Sequence, residues 1–310
     1  MASKHPEPEL AEDEQDLTHP PHETPLVPTE SSDSMPNSPA LPSTSTTSKP
    51  KKEKVVGNAF TELMAPKPKP IHQPSPSMAA RASQAKSNGM WRGALGEYIA
   101  HPERFPPSVV VRYTEHAVLI RDAFPKATVH LLLLPRSAGH SLRHPTAALS
   151  EDPELLAILR QEAEEAARLA AAELERKLGG FSAASRARRE AMARGDPPAS
   201  WPPGRDWARE LRVGTHAHPS MAHLHVHIIS RDMHSERMKH RKHYNSFTTP
   251  FLVPLADHPL AEDDVRRDTG YQNGNLSAEL RCWRCGKGFG NKFAELKRHL
   301  EEEFEEWKAE

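Results

Sequence analysis

The segment HLHVHII at 223–229 constrains this chain more than any other. Strict alternation of imidazole and apolar side chain is the period of a β-strand. It puts His223, His225 and His227 on one face and Leu224, Val226 and Ile228 on the other. The apolar row can face a core. The imidazole row cannot, because every ring carries nitrogens that need polar partners. A single strand histidine is ordinarily a structural residue with its hydrogen bonds satisfied; three in register, about 7 Å apart, predict a site.

Two chemistries suit such a row. His-x-His on a strand can direct two imidazoles at one zinc. Alternatively, His225 is a nucleophile toward phosphorus, with its neighbours holding phosphate oxygens. Neutral imidazole is competent near pH 7, and its attacking nitrogen stays bare if the other nitrogen donates to a carbonyl. In THAHPSMAHLHVH, His216 and Ser220 lie just upstream, on a preceding strand and turn that can reach the same phosphate.

The surroundings read as an α+β fold. VVVRY (109–113), AVLIRDA (117–123), TVHLLLLP (128–135) and LRVGTHA (211–217) are strand-like, predicting a small antiparallel sheet. A long helix starts at a Ser150 or Asp152 cap with Pro153 in its first turn. Its apolar stripe runs from Leu155, Leu156 and Leu159 to Leu178, before Gly179 and Gly180 end it. Trp91, Leu95 and Tyr98 have helical spacing. Residues 181–206, rich in Arg, Pro and Ala, read as a mobile insertion whose Arg186, Arg188, Arg189 and Arg194 either extend contact with a nucleic-acid backbone or, the favoured reading, only keep the arm soluble. Residues 1–88 hold half of the 30 prolines beside Ser/Thr runs and predict a disordered tail. Within that tail, KPKKEK (49–54) reads either as a nuclear import signal or as a solvated charge run, and NAFTELM (58–64) is a short amphipathic stretch. The catalytic domain is expected over 89–255, and a linker helix with a small metal module over 256–310.

The chain has two cysteines, Cys282 and Cys285, which exclude a disulfide scaffold. CWRCGKGFGNKFAELKRHLEEEF combines a Cys-x2-Cys knuckle with a helix carrying His299, and Glu303 is four residues on, facing the same way. This predicts one structural zinc per chain in a finger, with Glu301 or Glu302 competing for the fourth position. Such a finger is too small to fold on its own apolar core. RMKHRKHYNSF (237–247) directly follows the histidine strand. Its Lys239, Arg241, Lys242 and His243 suit contact with a phosphate backbone. No stretch is long and apolar enough for a membrane helix, and the acidic N-terminus lacks the apolar region of a secretory signal.

HLHVHII fits the pattern of the histidine-triad superfamily, and DAFPKATVHLLLLP resembles its nucleotide-binding segment. Over about residues 90–305, PKATVHLLLLP, HAHPSMAHLHVHIIS, KHYNSF and the zinc module occur in the order seen in the aprataxin family of DNA 5′-adenylate hydrolases. The chain resembles the compact fungal form. The resemblance implies a histidine-triad fold in which His225 attacks the α-phosphorus of AMP, while His223 and His227 orient the phosphate. His216 would protonate the departing DNA 5′-phosphate. Asp122 would bind the adenosine ribose, with Lys126 and His130 supporting the site and Ser220 touching phosphate. It further implies a Trp91 helix against the terminal base pair, a Cys282, Cys285, His299, Glu303 zinc set, and no catalytic metal. The expected partners are DNA with 5′-adenylated ends or nicks and AMP as product, with repair proteins on the tail. The expected setting is a nuclear monomer. His218, an extra imidazole where relatives often carry an apolar residue, receives no role.

Overall fold

The computed structural model describes residues 91–194 and 199–310, all within one unit, Pro76–Glu310. The expected tail, KPKKEK and NAFTELM lie outside the described residues, as does the side chain of Trp91. Strands β1 (Val110–Tyr113), β2 (Ala117–Arg121) and β3 (His130–Pro135) form an antiparallel meander. Strands β4 (Leu211–His216), β5 (Val226–Ser230) and β6 (Leu252–Pro254) complete a six-stranded sheet of order β1-β2-β3-β5-β4-β6. All its pairings are antiparallel, so the fold is α+β.

Two-residue alternation divides this sheet. Ala117, Leu119, Leu131, Leu133, Val226 and Ile228 join the main core on one face. Val118, Ile120, Leu132 and Leu134 face the other way and pack with Leu95 and Tyr98 at helix α1 (Gly96–Ala100). Helices α2 (Pro145–Glu151) and α3 (Pro153–Leu178) meet at Asp152, which ends the first and caps the second by accepting the Leu155 amide at 2.9 Å. The long helix buries Leu155, Leu156, Leu159, Ala163, Ala166, Ala170, Leu174 and Leu178 against the main core. That spacing keeps one apolar stripe on the sheet. Truncating a leucine there to alanine costs about 2–5 kcal/mol.

Two expectations need correction. The histidine strand begins at Val226, so His223 sits in a bend and His225 immediately before the strand. The backbone there is engaged elsewhere: the Leu224 amide donates to the Ser141 carbonyl at 2.7 Å and the Ala222 amide to the Arg92 carbonyl at 2.8 Å. The alternation survives all the same, with Leu224 in the main core beside Val226 and Ile228. The insertion, read as a mobile arm, carries helix α4 (Ala183–Ala193) in its described part. Ser182 caps it, Arg189 donates to the Gly179 carbonyl, and Arg188 donates to the Pro202 carbonyl.

The finger comprises β7 (Leu280–Arg281), β8 (Gly288–Gly290) and a long terminal helix, Phe293–Ala309. It is preceded by helices α5 (Arg241–Thr248) and α6 (Thr269–Ser277), so the terminal helix is α7. Leu280, Cys282, Leu296 and Leu300 share one cluster with Ile229, Met233, Tyr244 and Phe247, which places the finger's core on the sheet domain. Trp307 sits in the main core, and its indole N–H donates to Glu210 at 2.9 Å.

Gly214 makes the β4–β6 approach possible: a Cβ there would stand 2.4 Å from the Val253 carbonyl oxygen. Gly214→Ala should therefore lose about 1–3 kcal/mol in urea unfolding, and an unchanged midpoint would show that β6 yields freely.

Candidate active site and zinc finger

Three neighbouring strands present imidazoles on one face. His227 of β5 pairs with Leu132 and Gly214, which puts His130 of β3 and His216 of β4 on the same side, each two residues from its partner position. Ring centroids lie 4.3 Å apart for His216 and His227, 4.8 Å for His225 and His227, and 5.2 Å for His130 and His227. Phe247 of α5 packs against this cluster, 4.7 Å from His216, 5.1 Å from His227 and 5.2 Å from His130.

The hydrogen bonds decide which nitrogens carry protons. His225 Nδ1 lies 2.7 Å from the His223 carbonyl. A carbonyl only accepts, so Nδ1 holds the hydrogen and Nε2 of the neutral ring keeps its lone pair. A second chain runs from the Lys126 amide, which donates to His130 Nδ1 at 3.2 Å. His130 Nε2 must then donate to His227 Nδ1, 3.0 Å away. His227 Nε2 is left as an N–H donor, and it has no hydrogen-bond partner. His216 Nε2 and His223 Nδ1 are also buried without partners. Buried polar atoms of this kind fit an anionic ligand.

Burial also sets the charges. His225 is pushed below the usual histidine range by burial, against support from the His223 carbonyl and Asp122. Burial and the neighbouring imidazoles hold His216 and His227 well below it, and burial brings His130 down to about 4. At pH 7 these four rings are neutral. Burial would raise the Asp122 carboxyl, but His130, Lys126, the Phe124 amide and His225 bring it below its ordinary value. Lys126 is lowered by burial; its Nζ donates to the Phe124 carbonyl at 2.6 Å. His223 is half-buried and also lowered by burial, while Ser220 is exposed in the turn after β4.

The sequence did not point to three residues that frame this site. Phe247 stands one helical turn beyond Tyr244, a spacing visible in KHYNSF. Gly96 has no signal of its own, yet a Cβ there would come within 3.1 Å of the His223 ring. Buried Asp232 accepts the Thr128 amide at 2.9 Å and hydroxyl at 2.8 Å, tying the 122–130 turn to the end of β5. Among the basic residues, Lys239 is exposed and its amide donates to His243 Nδ1 at 3.2 Å. Arg241 donates to the Asn291 side chain of the finger at 2.5 Å. Lys242 and His243 are half-buried.

Cys282, Cys285, His299 and Glu303 bring four donor atoms within 4.8 Å of one another. Cys285 Sγ is 3.1 Å from His299 Nε2, which is 3.0 Å from Glu303 Oε1. Zinc bonds of about 2.0–2.3 Å at tetrahedral angles need donors roughly 3–4 Å apart. The set fits zinc. Glu301 instead pairs with His234 at 3.1 Å, and Glu302 is exposed. Arg284 grips the second oxygen of Glu303, leaving Oε1 toward the cluster. That arginine also reaches Glu306 at 2.9 Å and Glu310 at 2.6 Å.

Residues 104–234 match the HIT domain and residues 248–306 the C2HE / C2H2 / C2HC zinc-binding finger. Together with the sheet and its imidazoles, these define a histidine-triad protein with a C-terminal zinc-binding finger. The aprataxin-like protein of Saccharomyces cerevisiae is 36% identical over 69% of this chain and 96% of its own length. That of Schizosaccharomyces pombe is 31% identical over 81% of this chain and 95% of its own. The chain belongs to the aprataxin-like family. Among solved structures, Hnt3 in complex with DNA and guanosine aligns with a TM-score of 0.56 and 31% identity, covering 70% of this chain and 97% of that one. The aprataxin ortholog Hnt3 from Schizosaccharomyces pombe aligns with a TM-score of 0.55 and 31% identity, over 69% and 92%.

Because the unfolded chain would protonate histidines that the folded state keeps neutral, stability should fall as pH drops below 6.5. The window extends to about 4 for His130, and each such ring adds a slope of up to about 1.4 kcal/mol per pH unit. Urea melts at pH 7.5 and 5.5, with zinc content monitored, test this; equal midpoints would mean the rings are solvated. At the finger, Glu303→Ala should release zinc to a chelator faster than Arg284→Ala, and both faster than the parent, by roughly tenfold or more for the second-sphere change. Unchanged release from Glu303→Ala would reassign the fourth ligand.

Proposed function

We propose that this chain is a DNA-repair hydrolase that removes AMP from 5′-adenylated DNA through a covalent intermediate on His225. The observation that carries this reading is the His225 Nδ1 bond to the His223 carbonyl, which leaves Nε2 unprotonated for attack on phosphorus. Membership of the aprataxin-like family supplies the substrate class, and the DNA complex of the similar Hnt3 supports a DNA ligand.

In the first step Nε2 attacks the α-phosphorus. A P–N bond forms, the phosphoanhydride bond breaks, and its electron pair leaves with the 5′-phosphate of the DNA. His227 Nε2–H donates to a non-bridging oxygen, its polarity fixed by the Lys126–His130 chain. His223 flanks the same phosphate, with Ser220 at the turn. His216 interacts with the Ser246 backbone and keeps Nε2 without a partner. The negative charge of a bound diphosphate raises its proton affinity, so that it can protonate the departing phosphate. Asp122 is suited to the ribose hydroxyls, with Lys126 beside it. In the second step water attacks phosphorus and passes a proton to His216, which gave up its own in the first step; the P–N bond breaks, its electrons return to Nε2, and AMP leaves. Preorganised donors stabilise the developing charge without a catalytic metal.

Lys239, Arg241, Lys242 and His243, lying between β5 and the finger, are assigned to the DNA backbone, and Trp91 to its terminal base pair. The finger's resident zinc supplies structure. A nuclear setting suits this chemistry, and repair proteins are the proposed partners of the N-terminal tail; the protein is read as a monomer.

Incubation with 5′-adenylated nicked DNA should yield AMP and 5′-phosphate ends. His225→Asn should abolish turnover with DNA affinity retained. Cleavage of adenosine 5′-phosphoramidate without cleavage of adenylated DNA would overturn the repair assignment, and substantial residual activity in the variant would place the nucleophile elsewhere.

A further inference from the structure

The geometry points to Tyr244 and Phe247 as positioning residues that transmit the seating of the finger knuckle to the histidine cluster. The fully buried Tyr244 hydroxyl donates to the Arg281 carbonyl at 2.8 Å and accepts the Trp283 amide at 2.9 Å. These two residues flank Cys282, so the hydroxyl holds the backbone on both sides of a zinc ligand. One helical turn later, Phe247 packs against three rings of the cluster. It meets His130 and His227 edge-on, at 85° and 86°, and lies tilted against His216 at 50°.

Helix α5 has little freedom between these ends. Asn245 Nδ2 donates to the Leu276 carbonyl at 3.1 Å and the Ala278 carbonyl at 2.9 Å, fixing the helix to the end of α6. Arg212 of β4 holds the Phe247 carbonyl from the sheet side. The Tyr244 and Asn245 bonds thus join α5 to the knuckle and to the segment leading into it, so a displaced knuckle strains the helix that carries Phe247, and the Arg212 bond from β4 takes up that strain beside the cluster. The rings it touches include His227, whose orientation is otherwise set by one bond from His130. The finger thereby acts on the chemistry even when the substrate is too small to reach it. This inference rests on the hydrolase reading above for its rate measurement only.

Full-length, zinc-loaded Tyr244→Phe and Phe247→Leu are compared with the parent on adenosine 5′-phosphoramidate, alongside the imidazole ¹H–¹⁵N resonances of His216 and His227. Both variants should shift those resonances and lower turnover about tenfold, since small misplacements of reacting groups are costly. Stripping zinc from the parent should move the same resonances. Phe247→Leu moves those resonances by loss of its ring alone, so the decision rests on the knuckle side: His216 and His227 signals that coincide with the parent's in Tyr244→Phe and in the stripped protein would overturn the coupling. A parent that turns over neither phosphoramidate nor adenylated DNA would sink the hydrolase reading instead, and the resonances would still decide the coupling.

Discussion

The site depends on one 2.7 Å hydrogen bond, from His225 Nδ1 to the carbonyl of His223, two residues earlier. A neutral imidazole has one donor and one acceptor nitrogen, and this bond decides which is which. It also accounts for the local backbone. To offer its carbonyl to the ring at 225, residue 223 leaves the ladder, and the neighbouring amides turn to Arg92 and Ser141. The interrupted start of β5 is thus part of the chemistry, because a regular strand would have committed that carbonyl to a neighbour.

Neutrality of the whole cluster follows from where the sheet puts it. Four imidazoles share a buried face, and charging one is opposed by desolvation and by the others. Asp122 and Lys126 lie at the rim of this group and partly balance each other. An arriving anion changes that balance, since it stabilises any proton placed on the rings it meets. In the proposed mechanism, keeping the rings uncharged until then preserves the lone pair on His225 and still allows His216 to act as an acid.

Much of this was legible in the sequence because it obeys short-range rules. Alternation placed His223, His225 and His227 on one face, the Asp152–Pro153 pair marked a helix start, and spacing placed His299 and Glu303 on one side of a helix. The rest depends on tertiary contacts. Phe247 matters because α5 lies over the sheet, and Gly96 because the first residue of α1 lies against the His223 ring. Arg284 matters because the knuckle stands beside the far end of a helix. The insertion was misread for a related reason. Arginine, proline and alanine signal solvent exposure, yet Arg188 and Arg189 spend their guanidinium groups on the Pro202 and Gly179 carbonyls, in the segments flanking α4.

The finger poses the same lesson at a larger scale. Read alone, it is a module too small to hold itself together without metal. In the folded chain Leu280, Cys282, Leu296 and Leu300 complete their core with Ile229, Tyr244 and Phe247, while Trp307 enters the main core beside Leu174 and Trp207. The terminal helix is therefore anchored at both ends: near its start by the knuckle and at its finish by Arg205, whose Nη1 donates to the Trp307 carbonyl at 2.6 Å. Such anchoring makes the finger a rigid extension of the sheet. Under the proposed function, phosphate contacts made along the finger are positioned relative to His225 through this shared core.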